Sequence, residues 1–254
     1  MSHRNEQMPL WDFQLKQQHL DDVRDQLYTP MLNNEFRLWI YSPQLRPGNI
    51  TSGNYVNTTF KGFSLSSTEN KKKFDLKIAL CQTQADNHDE WMTGLTRIVD
   101  SAWNNTREAS VAWWHQYWDR SYIIINEHTG SSDLGYQVGK SYQLWRYMMG
   151  CNAYSEWPTK FNGGIHTFDP HFTNRKMSFT PDYRRWGGGT FTVQNQPLLY
   201  WPLLRSGDSD VMRSQFDFYK RITPNAMLIA KRFFDVNATH FSEQIDNSGL
   251  SNVF

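Results

Sequence analysis

The sequence predicts a multidomain α+β chain on three observations. Apolar residues alternate with period two before residue 87, the period changes to about 3.6 after it, and the later helical stretches carry start signals and short turns. The expected organisation is a β-rich domain over residues 1–86 that is part of a β-sandwich, a linker helix over 87–105, and a helical region over 106–254.

The β-rich part begins after a polar opening. FRLWIY, Phe36 to Tyr41, reads as a strand ended by SPQLRPGN with its two prolines. NYVNTTFKGFSLS, Asn54 to Ser66, alternates imperfectly. FDLKIALCQTQ alternates well, with Phe74, Leu76, Ile78 and Leu80 on one face. Three or four strands alone leave edges exposed, so the expectation is a portion of a sandwich.

In the linker, Asp89 is the candidate N-cap of a helix carrying Trp91, Leu95, Ile98, Val99 and Trp103. REASVAWWHQYWDRSYIIINE follows, with Trp113, Trp114, Tyr117 and Trp118 in six positions. Neighbouring helical positions point about 100° apart, so these rings cannot share a face. Either one of them lines a cleft or junction, or together they clamp the linker and Asp119 and Arg120 form a structural pair.

Asp133 caps the next helix, whose face is Val138, Tyr142, Trp145, Arg146 and Met149. A loop then carries His166, Asp169 and His171, whose spacing matches no strong metal-ligand pattern. Helical periodicity returns from Gln194 to Leu204 and breaks at RSGDSD. Asp208 or Ser209 is expected to start one helix, and Thr223 with Pro224 another. Short turns between these helices imply antiparallel neighbours.

Thr180 to Gly207 concentrates the candidate chemistry: Asp182, Arg185 and Trp186, then a glycine run, Gln194-Asn195-Gln196, and Tyr200-Trp201. Flat apolar rings beside planar amides suit pyranose faces and hydroxyls. The other reading is a glycine turn followed by a buried amphipathic helix, with Tyr200, Trp201, Leu203 and Leu204 as core.

Composition agrees with sugar recognition without requiring it: 11 Trp, 12 Tyr and 16 Phe make up 15% of 254 residues. Large helical cores use many rings too. A formal net charge of +1 supplies no field calling for nucleic acid or an acidic membrane. The N-terminus lacks the apolar core of a secretion signal, and no stretch has the length of a membrane span. Cys81 and Cys151 show no disulfide or zinc spacing and are expected to be isolated buried thiols.

AWWHQYWDRSYI, SYQLWRYMMGC, KFNGGIHTFD, PDYRRWGG and QNQPLLYWPLLRSGD together resemble six-hairpin glycosidases. Among these the sequence resembles bacterial glycoside hydrolase-like proteins carrying a domain of unknown function and, more distantly, the inverting α-L-fucosidase family. The resemblance covers about residues 74 to 254. It implies an (α/α)6 toroid behind a β-sandwich, a carbohydrate partner, a periplasmic or secreted location, and neither cofactor nor metal. It also implies substrate contacts from Trp118, Asn162, His166, Asp182, Arg185, Trp186, Gln194, Tyr200 and Trp201.

In the fucosidases, asparagines before the Tyr-Trp pair hold the catalytic carboxylate and its water. One of these positions falls on Asn195 and the other on Val193, which cannot do that work. Hydrolysis through two carboxyl groups then leaves Glu243, in a block resembling a loop at the toroid mouth, as the candidate catalytic acid or base. Two alternatives remain: a non-catalytic carbohydrate-binding protein, and a polysaccharide lyase using His166 or Tyr183. Six hairpins need about twelve helices, each about a dozen residues long. The expectation is therefore the N-terminal portion of a longer toroid, with an open apolar surface on Pro224 to Val236.

Overall fold

The computed structural model describes residues 2–6, 9–55, 58–84, 88–101, 105–160 and 190–251. The chain is α+β, as expected. Its described residues form two compact units, one from 2–11 and 30–101, the other from 12–29, 105–160 and 190–251.

The first unit contains β1 (Ser2–Arg4), β2 (Asn34–Tyr41), β3 (Leu45–Tyr55), β4 (Thr58–Ser67), β5 (Lys77–Gln84) and α2 (His88–Ser101). β1, β2 and β5 form an antiparallel sheet in that order, with Leu38 opposite Leu80 and Ile40 opposite Ile78. The apolar face that the sequence marks is open: Phe74, Leu76, Ile78 and Leu80 are 45–58% exposed. The other face is covered because Ala79 is small enough for Leu95 of α2 to reach it, with Trp39, Cys81 and Val99 packed around them.

β3 and β4 form a separate hairpin. The prolines of SPQLRPGN do not keep the chain out of a strand, because β3 passes through Pro47 and the ladder shifts register between Pro47 and Ile50. An irregularity of this kind accommodates a residue with no N–H. α2 begins at His88, so Asp89 lies inside the helix rather than capping it.

The second unit carries most of α1 (Pro9–Gln17) and a 3₁₀ turn, Asp21–Gln26, in a stretch read as β-rich. It continues with α3 (Thr106–Arg120), α4 (Leu134–Cys151), β6 (Phe191–Thr192), α5 (Gln196–Ser206), α6 (Arg213–Phe234) and β7 (Gln244–Ile245). Asp133 caps α4 as expected, its carboxylate accepting from the Tyr136 N–H at 2.8 Å. Gly207 closes α5 in the left-handed conformation, where a side chain would be strained.

The start expected at Asp208 or Ser209 is present as a 3₁₀ turn, Ser209–Met212, that leads into α6, but the second start expected at Thr223 and Pro224 is absent. α6 runs unbroken through Pro224. The missing N–H frees the Lys220 carbonyl, but buried Phe218, Ile222, Ala226 and Ile229 outweigh that loss. The opposite side of α6 and its end is open, with Met227, Phe233, Phe234 and Val236 45–58% exposed.

Two apolar clusters organise this unit. Tyr117, Met149, Ala153, Tyr200, Leu203, Val211 and Met212 join α3, α4 and α5. Phe191, Phe218, Ile222 and Ile245 join α6 to the β6–β7 ribbon. Cys151 is exposed and Cys81 half-buried, both free, so the expectation of two buried thiols fails at Cys151. No helix among the described residues is long and apolar enough to cross a membrane.

Candidate functional site

Two candidate segments distant in sequence are neighbours in space because of a short ribbon. Phe191 pairs with Ile245 and Thr192 with Gln244, and the next rung is a hydrogen bond from the Val193 N–H to the Glu243 carbonyl at 2.7 Å. The Glu243 backbone therefore lies opposite Val193, the residue that precedes Gln194 and Asn195. The Glu243 side chain and that of Gln194 are exposed, and that of Asn195 is half-buried.

Asn195 occupies the cap position of α5, where Pro197 in the first turn has no N–H to leave unsatisfied. Its own amide makes no cap bond. The two paired segments thus carry an exposed carboxylate, which accepts hydrogen bonds, and two planar amides, which donate and accept them.

The ribbon is held from below. Asn225, fully buried on α6, donates to the carbonyls of Tyr28 and Ser248, both at 2.8 Å, and accepts from the Tyr28 N–H at 2.7 Å. Just past β7, the Asp246 carboxylate closes a turn by accepting from the Ser248 N–H and hydroxyl and the Leu250 N–H.

Burial raises the Asp246 pKa above the ordinary aspartate value, overriding those hydrogen bonds. A raised folded-state pKa means that the folded chain binds more protons than the unfolded one between the two values, so this group's contribution to stability falls as pH rises through that window. Asp246→Asn keeps the carbonyl acceptor and removes the ionisation. The variant should flatten the dependence of the thermal midpoint on pH above pH 4, and an unchanged slope would assign that dependence to other groups.

The remaining candidates fall elsewhere. Tyr200 is corrected to core: it is 2% exposed, and its hydroxyl accepts from the Thr159 N–H at 2.9 Å, leaving no ring face for a sugar. Gln196 holds the same turn by donating to the Thr159 carbonyl at 2.8 Å. Trp201 points outward, 63% exposed, in a stripe with Leu198 and Leu204. It lies about 9 Å of helical rise beyond the Asn195 cap. Trp118 is half-buried on α3, stacked on Trp114 at the edge of a cavity against α4. Asn162, His166, Asp182, Arg185 and Trp186 lie outside the described residues, as do Asp169 and His171.

Asp208 and Asp210 are not simply helix-start residues. Asp208 is fully buried and ion-paired with Arg146, itself fully buried. Arg120 bonds Asp208 at 3.3 Å and Asp210 at 2.6 Å, so the expected pairing of Arg120 with its neighbour Asp119 gives way to one with the α5–α6 turn. The Arg146 guanidinium carbon lies 4.2 Å from the centre of the Tyr117 ring. Burial holds the Tyr117 phenol well above its usual pKa, and its hydroxyl donates to the Arg146 carbonyl at 2.8 Å. Reading Arg146 as one residue of a helical face gave no signal of this network, because its partner lies two elements away.

Residues 1–123 are similar to a family described as a domain of unknown function (DUF5703). No curated protein matches the chain.

Proposed function

We propose that this is a glycoside hydrolase-like protein that binds an oligosaccharide at Gln194, Asn195 and Glu243. One observation supports the reading above others. The Val193–Glu243 hydrogen bond extends the β6–β7 pairing and brings the backbone of Glu243, whose side chain is exposed, to the strand end that leads into Gln194 and Asn195, across the two helices that separate them in sequence. The exposed indole of Trp201 adds an apolar surface on α5, the helix that follows Asn195.

Hydrolysis by the usual route needs a second carboxyl group across the scissile bond. Asp208 is committed to Arg146 and buried, so it does not serve. Binding without turnover is the second reading, with Glu243 accepting hydroxyl hydrogen bonds.

A glycan array combined with hydrolysis assays on aryl glycosides separates the two. Asn195→Ala should weaken saccharide binding about tenfold, equivalent to about 1.4 kcal/mol. Glu243→Gln should abolish any turnover while retaining binding if the glutamate is catalytic, and weaken binding if it is only a ligand. Undiminished binding in both variants would sink the site.

A further inference from the structure

A cavity of about 420 Å³ lies between α4 and the chain that leaves α3. Its volume falls within the range of about 300–1,000 Å³ typical of small-molecule sites. One wall is the run Ile123 to Ile125, in neither helix nor strand. That run lies directly on α4, because a Cβ at Gly139 would sit 3.0 Å from the Ile123 carbonyl oxygen and 3.2 Å from the Ile125 nitrogen. Gln143 donates to the Ile123 carbonyl at 3.1 Å, and Asn126 donates to the capping carboxylate of Asp133 at 3.0 Å. The wall is therefore tied down at both ends.

At one end stands Trp118. Its ring stacks on Trp114 with centroids 6.2 Å apart and planes 22° apart, and the Arg146 guanidinium carbon lies 5.7 Å from it. The indole is fixed before any ligand arrives, which lowers the entropic cost of binding. Lys140, Gln143 and Glu127 supply polar groups on the same lining. The amide of Gln143 keeps its oxygen and a second hydrogen beyond the bond to Ile123. The lysine and glutamate charges are opposite, so the lining carries no net charge that selects an ion.

We propose that this cavity is a subsite for one neutral pyranose ring of a saccharide. Trp118 and the isoleucine wall contact the apolar ring face, and Lys140 and Gln143 bond the hydroxyls. The proposal rests on the carbohydrate reading above and adds a place that does not use Glu243 or Asn195.

The test is calorimetric and tryptophan-fluorescence titration of the full chain with glucose, galactose, xylose, fucose and cellobiose, repeated on Trp118→Phe, Lys140→Ala, Gln143→Ala and Asn195→Ala. Lys140 is exposed, so its variant keeps the fold and the test stands even where the Trp118 variant does not fold. The expected result is saturable binding weakened about tenfold by Lys140→Ala, the loss of one charge-assisted hydrogen bond, with at least one binding event unaffected by Asn195→Ala. If every saccharide signal depends on Asn195 and none on Lys140 or Gln143, the subsite is overturned and the Glu243 site stands. If no saccharide binds the unaltered chain, both fall. Occupancy by a hydrophobic dye or an apolar peptide alone also overturns the subsite.

Discussion

Asp208→Asn should lower the thermal midpoint of the helical unit by about 10 °C. Breaking a buried ion pair by removing one partner costs about 3–5 kcal/mol, because the remaining charge is left uncompensated in a low-dielectric interior. For a chain of this size each kcal/mol moves the midpoint by about 2–4 °C. Here the stranded charge is Arg146, which has no exposed surface; its Nε–H has no hydrogen-bond partner, and one Nη donates to the Tyr117 carbonyl at 2.6 Å.

Asparagine preserves the volume and one acceptor, so the loss isolates charge from packing. Arg120→Ala is the internal control. Its side chain is 31% exposed and its second partner, Asp210, is 43% exposed, so solvent screens the interaction and the cost should stay near 1 kcal/mol or below. Replacing Arg146 and Asp208 together by methionine and leucine should recover at least half of the loss, because an apolar pair needs no compensating charge. Chemical denaturation reads all three. An Asp208→Asn variant within about 1 kcal/mol of the unaltered chain would show that the pair does not hold the unit together.

The network also marks what the sequence made legible and what it did not. Local signals read through. Asp133 before an apolar-periodic run caps α4, and FRLWIY lies within β2. In both, the deciding interaction is within a few residues, so composition and order carry it. Asp208 does stand at a helix start, before the 3₁₀ turn Ser209–Met212, but its second role was not legible, because only the approach of Arg146 makes it a buried anion. Pro224 failed for a related reason: its local preference for a helix start is real, yet tertiary burial along α6 overrides it. The alternation in β5 carries the period but not which face is covered, which α2 decides by packing on the Ala79 side.

For the candidate site, the residue types were legible and the adjacency was not. Nothing in the sequence pairs two residues of β6 with two of β7; the core beneath them does. Phe218→Ala tests that dependence. Phe218 is fully buried, 4.5 Å from the Phe191 ring and 5.9 Å from that of Trp157, centroid to centroid, in the cluster that includes Ile222 and Ile245.

Removing the ring should cost about 3–5 kcal/mol, the sum of lost burial and the cavity left behind. Phe218→Leu should cost less than half as much, since most of the volume is kept. The functional consequence should follow the packing. β6 contributes Phe191 and β7 contributes Ile245 to this cluster, so loosening it frees the ribbon that keeps Glu243 against Val193. Hydrogen exchange at the Val193 amide should quicken in Phe218→Ala more than exchange at the Tyr136 amide, which the Asp133 cap protects independently of this cluster. Saccharide affinity at Asn195 should fall with it. Equal acceleration at both amides would mean that the variant opens the whole unit, and the ribbon would then have no separate dependence on Phe218.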